Sequence, residues 1–239
     1  MIHNRPQFFN VQKLAHEFLL KYWDGSLPID TLKLAYNISK NNNNFKIYTY
    51  TNLAKEFNIP IEKIKSISDD GYCYYNSQGI FILVYNDLID DKRKVQWTIG
   101  HELGHYASNH LFKDSTIYKF SDGHTKDIHE IEADYFVKNL MAPFPLLNFI
   151  HLYYLNLLGP SDIVKISNIN YTPACHIYNH FFRLTSYTLE NIPYKRELEK
   201  LFRNNLTKFF ENNLTENSFE KKYLDLIKKK RKELKISCE

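Results

Sequence analysis

Cysteine, glycine and long apolar runs are all scarce in this chain of 239 residues. The three cysteines, Cys73, Cys175 and Cys238, are odd in number and far apart. None forms the Cys-x-x-Cys pair of a zinc ribbon or a dithiol redox site, so a reducing compartment is expected. Seven glycines stand against 18 tyrosines and 17 phenylalanines, a bias that genome base composition produces and that carries little chemistry. The most apolar region, Leu140 to Leu158, is interrupted by Pro143, Pro145, Asn148, His151 and Asn156. It falls short of the ~20 clean apolar residues that span a bilayer and reads as core. The opening Met1-Ile2-His3-Asn4-Arg5-Pro6 lacks the apolar run of a signal peptide. A cytoplasmic protein with no membrane association is the expectation.

What is present suits a globular chain. Hydrophobic residues make up 44% and charged residues 24%, far from the composition of disordered chains. The length lies between one large domain and two small ones and allows a core without covalent or metal staples. The net charge of +4 is unevenly placed: from Tyr194 to Glu239 there are 13 Lys and Arg against 8 Asp and Glu, which leaves 18 against 19 for Met1 to Pro193. The basic character belongs to the tail.

Apolar spacing at Val11, Leu14, Phe18 and Leu19 predicts a first helix, and Leu32, Leu34, Ala35 and Ile38 a second. Asn41 to Asn44 reads as a loop, Phe45 to Tyr50 as a strand, and Asn52 to Asn58 as a helical turn ended near Pro60. Gly71-Tyr72-Cys73-Tyr74-Tyr75 and Ile80-Phe81-Ile82-Leu83-Val84-Tyr85 flank Asn76-Ser77-Gln78-Gly79 in the pattern of a β-hairpin. Asp90-Asp91 then opens a helix running through Val95, Ile99 and Leu103. A polar loop from about Lys113 to Lys126 leads to a helix from Asp127 to about Met141, closed by Pro143 and Pro145. Beyond it, Ser161-Asp162, Thr172-Pro173 and the segment after Pro193 read as helix starts. The class is α+β, mainly helical, with a small antiparallel sheet before the histidine-bearing helix.

That helix carries His101-Glu102-Leu103-Gly104-His105. One turn separates the two histidines, so both imidazoles project from one face and can reach one metal ion. Glu102 lies about 100° further round, placed to act as general base toward a water on an open zinc position without itself ligating. Zinc lowers the pKa of such a water to about 7 in well-studied hydrolases. The pentapeptide alone arises by chance in roughly 2% of chains of this composition, so its context matters. A catalytic zinc needs a third protein ligand, and Glu130-Ile131-Glu132-Ala133-Asp134 on the next helix offers two. Glu130 is favoured, because Asp134 falls one turn later on its face and can accept a hydrogen bond from the far nitrogen of a ligating histidine; Glu132 remains the alternative. A third histidine six residues after the second is excluded, since Leu111 stands there.

Trp97-Thr98-Ile99-Gly100-His101-Glu102-Leu103-Gly104-His105-Tyr106, then Glu130 to Phe136, then Leu140-Met141-Ala142-Pro143, closely resembles the ImmA/IrrE family of metallopeptidases, over roughly Gly71 to Pro143. Ala142 departs from the family, which usually runs straight from Met to Pro. The resemblance implies a zincin-like fold; with the elements read above it places a catalytic domain over residues 1–145, followed by residues 146–239 as a helical C-terminal region with a basic tail. It also implies one zinc held by two histidines and a glutamate, and cleavage of a helix-turn-helix transcriptional repressor. The alternative is a metal-binding regulatory module acting by association with a partner or nucleic acid.

Other features carry plainer readings. Gly100 and Gly104 each cost roughly 1 kcal/mol in a helix interior, which close packing of another element explains. His110, His124, His129, His151, His176 and His180 are scattered and read as surface or core residues, with one of them a candidate for oxyanion stabilisation. Ser161 to Arg183 superficially resembles a helix-turn-helix, but Arg183 is the one cation of its second helix, so a packing role is expected. Lys228-Lys229-Lys230-Arg231-Lys232 is a solvated helix end in the plain reading and a nucleic-acid or acidic-partner contact in the sharper one.

Overall fold

A computed structural model describes residues 5–111, 128–153, 158–184 and 186–213. The polar loop expected from Lys113 to Lys126 and the basic run Lys228 to Lys232 lie outside these residues.

Helix α1 (Phe8–Tyr22) buries Val11, Ala15 and Leu19, one turn apart along a single face. Helix α2 (Thr31–Asn41) starts at Asp30, whose carboxylate accepts from the Leu32 and Lys33 amides, and buries Leu34, Ala35 and Ile38. Strand β1 (Phe45–Thr49) runs into helix α3 (Tyr50–Phe57), capped by Thr49, and a short helix α4 (Ile61–Lys65) follows. Strands β2 (Gly71–Tyr75) and β3 (Phe81–Tyr85) form the expected hairpin. Its turn is built by Asn76, whose side chain accepts from the Gln78 and Ile80 amides, and by Gly79 at φ +72°.

The sheet has the order β1-β3-β2, with β2 antiparallel and β1 parallel to β3. It is therefore mixed, where the hairpin alone had predicted an antiparallel sheet. Only the hairpin has a local pairing signal; β1 reaches its partner after a crossover through α3, α4 and β2, which turn residues do not announce. All five residues of central β3 are buried, because the pleat sends Phe81, Leu83 and Tyr85 into the main core and Ile82 and Val84 into a smaller one with Tyr50, Leu53, Ile64 and Tyr72.

Helix α5 (Lys92–Ala107), capped by Asp91, packs under the sheet and against helix α6 (Ile128–Met141). Helix α7 (Phe144–Tyr153) continues the apolar stretch, and every residue from Met141 to Ile150 is buried. Among the described residues no helix is long and apolar enough to cross a membrane. Helices α8 (Pro160–Ser167) and α9 (Tyr171–Phe181) pack as a pair and bury Ile163, Ile166, Ala174, Ile177 and Phe181. Helices α10 (Ser186–Glu190) and α11 (Lys195–Asn213) follow, and Leu198, Phe202 and Leu206 of α11 join the core that begins at Val11. Residues on both sides of position 145 thus share one core.

Candidate metal centre

Helix α5 has two working faces. Val95, Ile99 and Leu103 lie in the core, while His101 and His105 turn toward α6. The two helices approach closely because glycine stands at the crossing. A Cβ on Gly104 would lie 2.9 Å from the Ala133 Cα, and one on Gly100 would lie 2.6 Å from the Val137 Cγ2. The two glycines therefore serve packing, as their cost in a helix had suggested.

Close approach brings the first turn of α6 onto the histidines. His101 Nε2 lies 3.2 Å from His105 Nε2 and 3.1 Å from Glu130 Oε2, and His105 Nε2 lies 3.3 Å from Glu130 Oε1. His101, His105 and Glu130 form a three-donor cluster that can hold a metal ion. On its other side the His101 ring places Nδ1 3.2 Å from Asp134 Oδ1, one turn beyond Glu130. Burial alone would lower the His101 pKa, but the hydrogen bonds to Asp134 and Glu130 and the charges of Glu102 and Glu130 raise it to about 10. Burial would raise the Glu130 carboxyl; the two imidazoles outweigh that and hold it far below the usual carboxylate range. Such a field favours positive charge at the point where the three donors converge.

Glu102 is 8% exposed and lies on the side of the sheet, where its charge acts on the Cys73 thiol of β2. Glu132, two residues from Glu130 and therefore turned about 200° round the helix, points elsewhere. It accepts from the Gln7 amide at 2.6 Å and from His110 Nε2 at 2.8 Å.

His110 is the residue that sequence reasoning passed over. Helix α5 ends with Asn109 at φ +54°, with the Asn109 amide bonded to the Tyr106 carbonyl and the His110 amide to the His105 carbonyl. This is the Schellman geometry, which folds the residue after the left-handed position back over the one five before it. His110 Nδ1 accordingly lies 3.1 Å from His105 Nδ1, and the His129 ring stacks on His110 at 4.3 Å. Burial, then repulsion from His105, lowers the His110 pKa to about 4, against the raising effect of Glu132. An asparagine just past the last helical turn was the available signal. An open cavity of about 480 Å³ adjoins the cluster at Asp134 and is rimmed by Arg93, Lys94, Trp97, Lys138 and His176.

In comparisons with known proteins, no protein-family model and no curated protein matches the chain.

Proposed function

We propose that this chain is a zinc-dependent endopeptidase of the ImmA/IrrE kind, acting on a regulatory protein with a helix-turn-helix domain. The convergence of two imidazole nitrogens and one carboxylate, 3.1 to 3.3 Å apart edge by edge, carries the reading. Ligands about 2.0 Å from a tetrahedral zinc are separated by about 3.3 Å, so these edges fit that ion, and two nitrogens with one carboxylate are a donor set of catalytic zinc. His101, His105 and Glu130 would hold it. When bound, zinc supplies a Lewis acid that polarises a carbonyl and acidifies water.

The remaining chemistry belongs to the side chains. Glu102, next to the first histidine, takes the proton of the attacking water and delivers it to the amine that leaves as the peptide bond breaks. Asp134 accepts from His101 Nδ1, which leaves Nε2 as the nitrogen that would ligate once a metal displaces its proton. The partner class is supported by the sequence resemblance.

The test is Glu102→Gln, assayed against a small protein with a helix-turn-helix domain as candidate substrate, with added zinc and with a chelator. The variant is expected to keep one zinc per chain and to lose cleavage by roughly 10²–10⁴-fold. Cleavage at the wild-type rate would remove Glu102 from the mechanism, and cleavage that survives the chelator would remove the metal.

A further inference from the structure

His110 and Glu132 are buried, polar and unused by the hydrolysis as described. A histidine that ligates through Nε2 must carry its proton on Nδ1, and that proton needs an acceptor. For His101 the acceptor is Asp134. For His105 the atom 3.1 Å from Nδ1 is the Nδ1 of His110. An imidazole nitrogen donates or accepts according to its tautomer, so this contact alone has no direction.

The far side of the ring supplies the direction. His110 Nε2 lies 2.8 Å from Glu132 Oε2, and a carboxylate only accepts, so the His110 proton sits on Nε2 and Nδ1 is left as an acceptor. The other oxygen of Glu132 is taken by the Gln7 amide at 2.6 Å, which fixes the carboxylate from the start of α1. Stacking on His129, with the ring planes 13° apart, holds the His110 ring flat.

We infer that His110 is a positioning residue: a relay from the Gln7 amide through Glu132 and His110 locks His105 in the tautomer whose Nε2 faces Glu130 and His101. The purpose of the relay rests on the zinc reading, whereas the tautomer it imposes does not. The two histidines of α5 are thus oriented by different devices, a direct carboxylate for His101 and an imidazole–carboxylate pair for His105.

Imidazole ¹⁵N NMR on the full chain, with and without Zn²⁺, tests it. His110 is expected with Nε2 protonated and Nδ1 bare in both states, and a proton on Nδ1 would overturn the inference. Zinc affinity, measured by competition with a chromophoric chelator, should fall roughly 10–100-fold in His110→Phe, which keeps a stacked ring but has no nitrogen. His110→Gln, whose amide again pairs an acceptor with a donor, should regain most of that loss. Wild-type affinity in His110→Phe, or an equal loss in both variants, would reduce His110 to a packing residue. A wild-type chain that takes up no zinc would end the zinc reading instead, and the tautomer measurement would then decide the relay by itself.

Discussion

Cys73 and Glu102 show how one burial event sets the chemistry of two residues. Burial first, then the charge of Glu102, push the Cys73 thiol well above its usual range, so the sulfur remains protonated and inert. Cys175 is only half-buried. Iodoacetamide is therefore expected to label Cys175 in the folded protein at least about tenfold faster than Cys73, which should react freely only after denaturation. Peptide mapping by mass spectrometry reads this, and equal labelling would place the thiol outside the core. At this scale much of the site was legible. The spacing of His101, Glu102 and His105 fixes their relative directions once a helix is granted, because the helical period is local. Glu102's partner was not legible, since Cys73 arrives from a strand 29 positions earlier and nothing near either residue encodes the pairing.

Among the elements, the crossing of α5 and α6 is the critical contact, because its depth sets the donor distances. Gly104→Ala gains roughly 1 kcal/mol of helix propensity. The added Cβ, however, meets the Ala133 Cα at 2.9 Å and its carbonyl at 3.2 Å. Main chain cannot rotate aside, so the helices must separate, and overpacking of this kind costs roughly 1–3 kcal/mol. A net loss of up to about 2 kcal/mol in urea unfolding is expected, together with weaker metal binding as the 3.1–3.3 Å edges lengthen. Unchanged values of both would show that the crossing does not control the site. Helices α1, α2, α5 and α6 were readable from apolar periodicity and, for α5, from the acidic start at Asp91, whereas α4, α7 and α10 were not read: α4 and α10 are single short turns and α7 is apolar on every side, so none of them has a periodic face. The parallel placement of β1 was not legible either, because it depends on a crossover and has no turn to mark it.

Across the whole molecule, the first helix and the segment before the last one are joined at a buried histidine. His16 is fully buried, and its Nδ1–H donates to the Pro193 carbonyl at 2.6 Å, while Nε2 has no partner among the described residues. Burial lowers its pKa to about 4, more than the carbonyl raises it. In the unfolded chain the ring titrates near 6.5, so between pH 6.5 and 4 the unfolded state binds a proton that the folded state refuses. Stability contributed here is complete above pH 6.5, declines as the pH falls through this window and levels off below 4. The full decline is about 3 kcal/mol. Urea unfolding of the wild type against His16→Asn, at pH 7, 5.5 and 4, isolates the effect. The wild type's advantage should shrink toward acid, and a pH-independent difference would show that His16 keeps its proton in the fold.

The sequence by itself determined what is periodic and local: the amphipathic helices, the hairpin, the two histidines on one face and the acidic pair one turn apart on the next helix. Tertiary structure decided what depends on depth and direction between distant segments. It turned Glu130 toward the histidines and Glu132 toward His110, brought Cys73 onto Glu102, and set β1 beside β3. The physical reason is that a helix fixes the angle between its own residues at about 100° per step but leaves its rotation and distance relative to a neighbour to packing, which here is governed by Gly100, Gly104 and the side chains they meet.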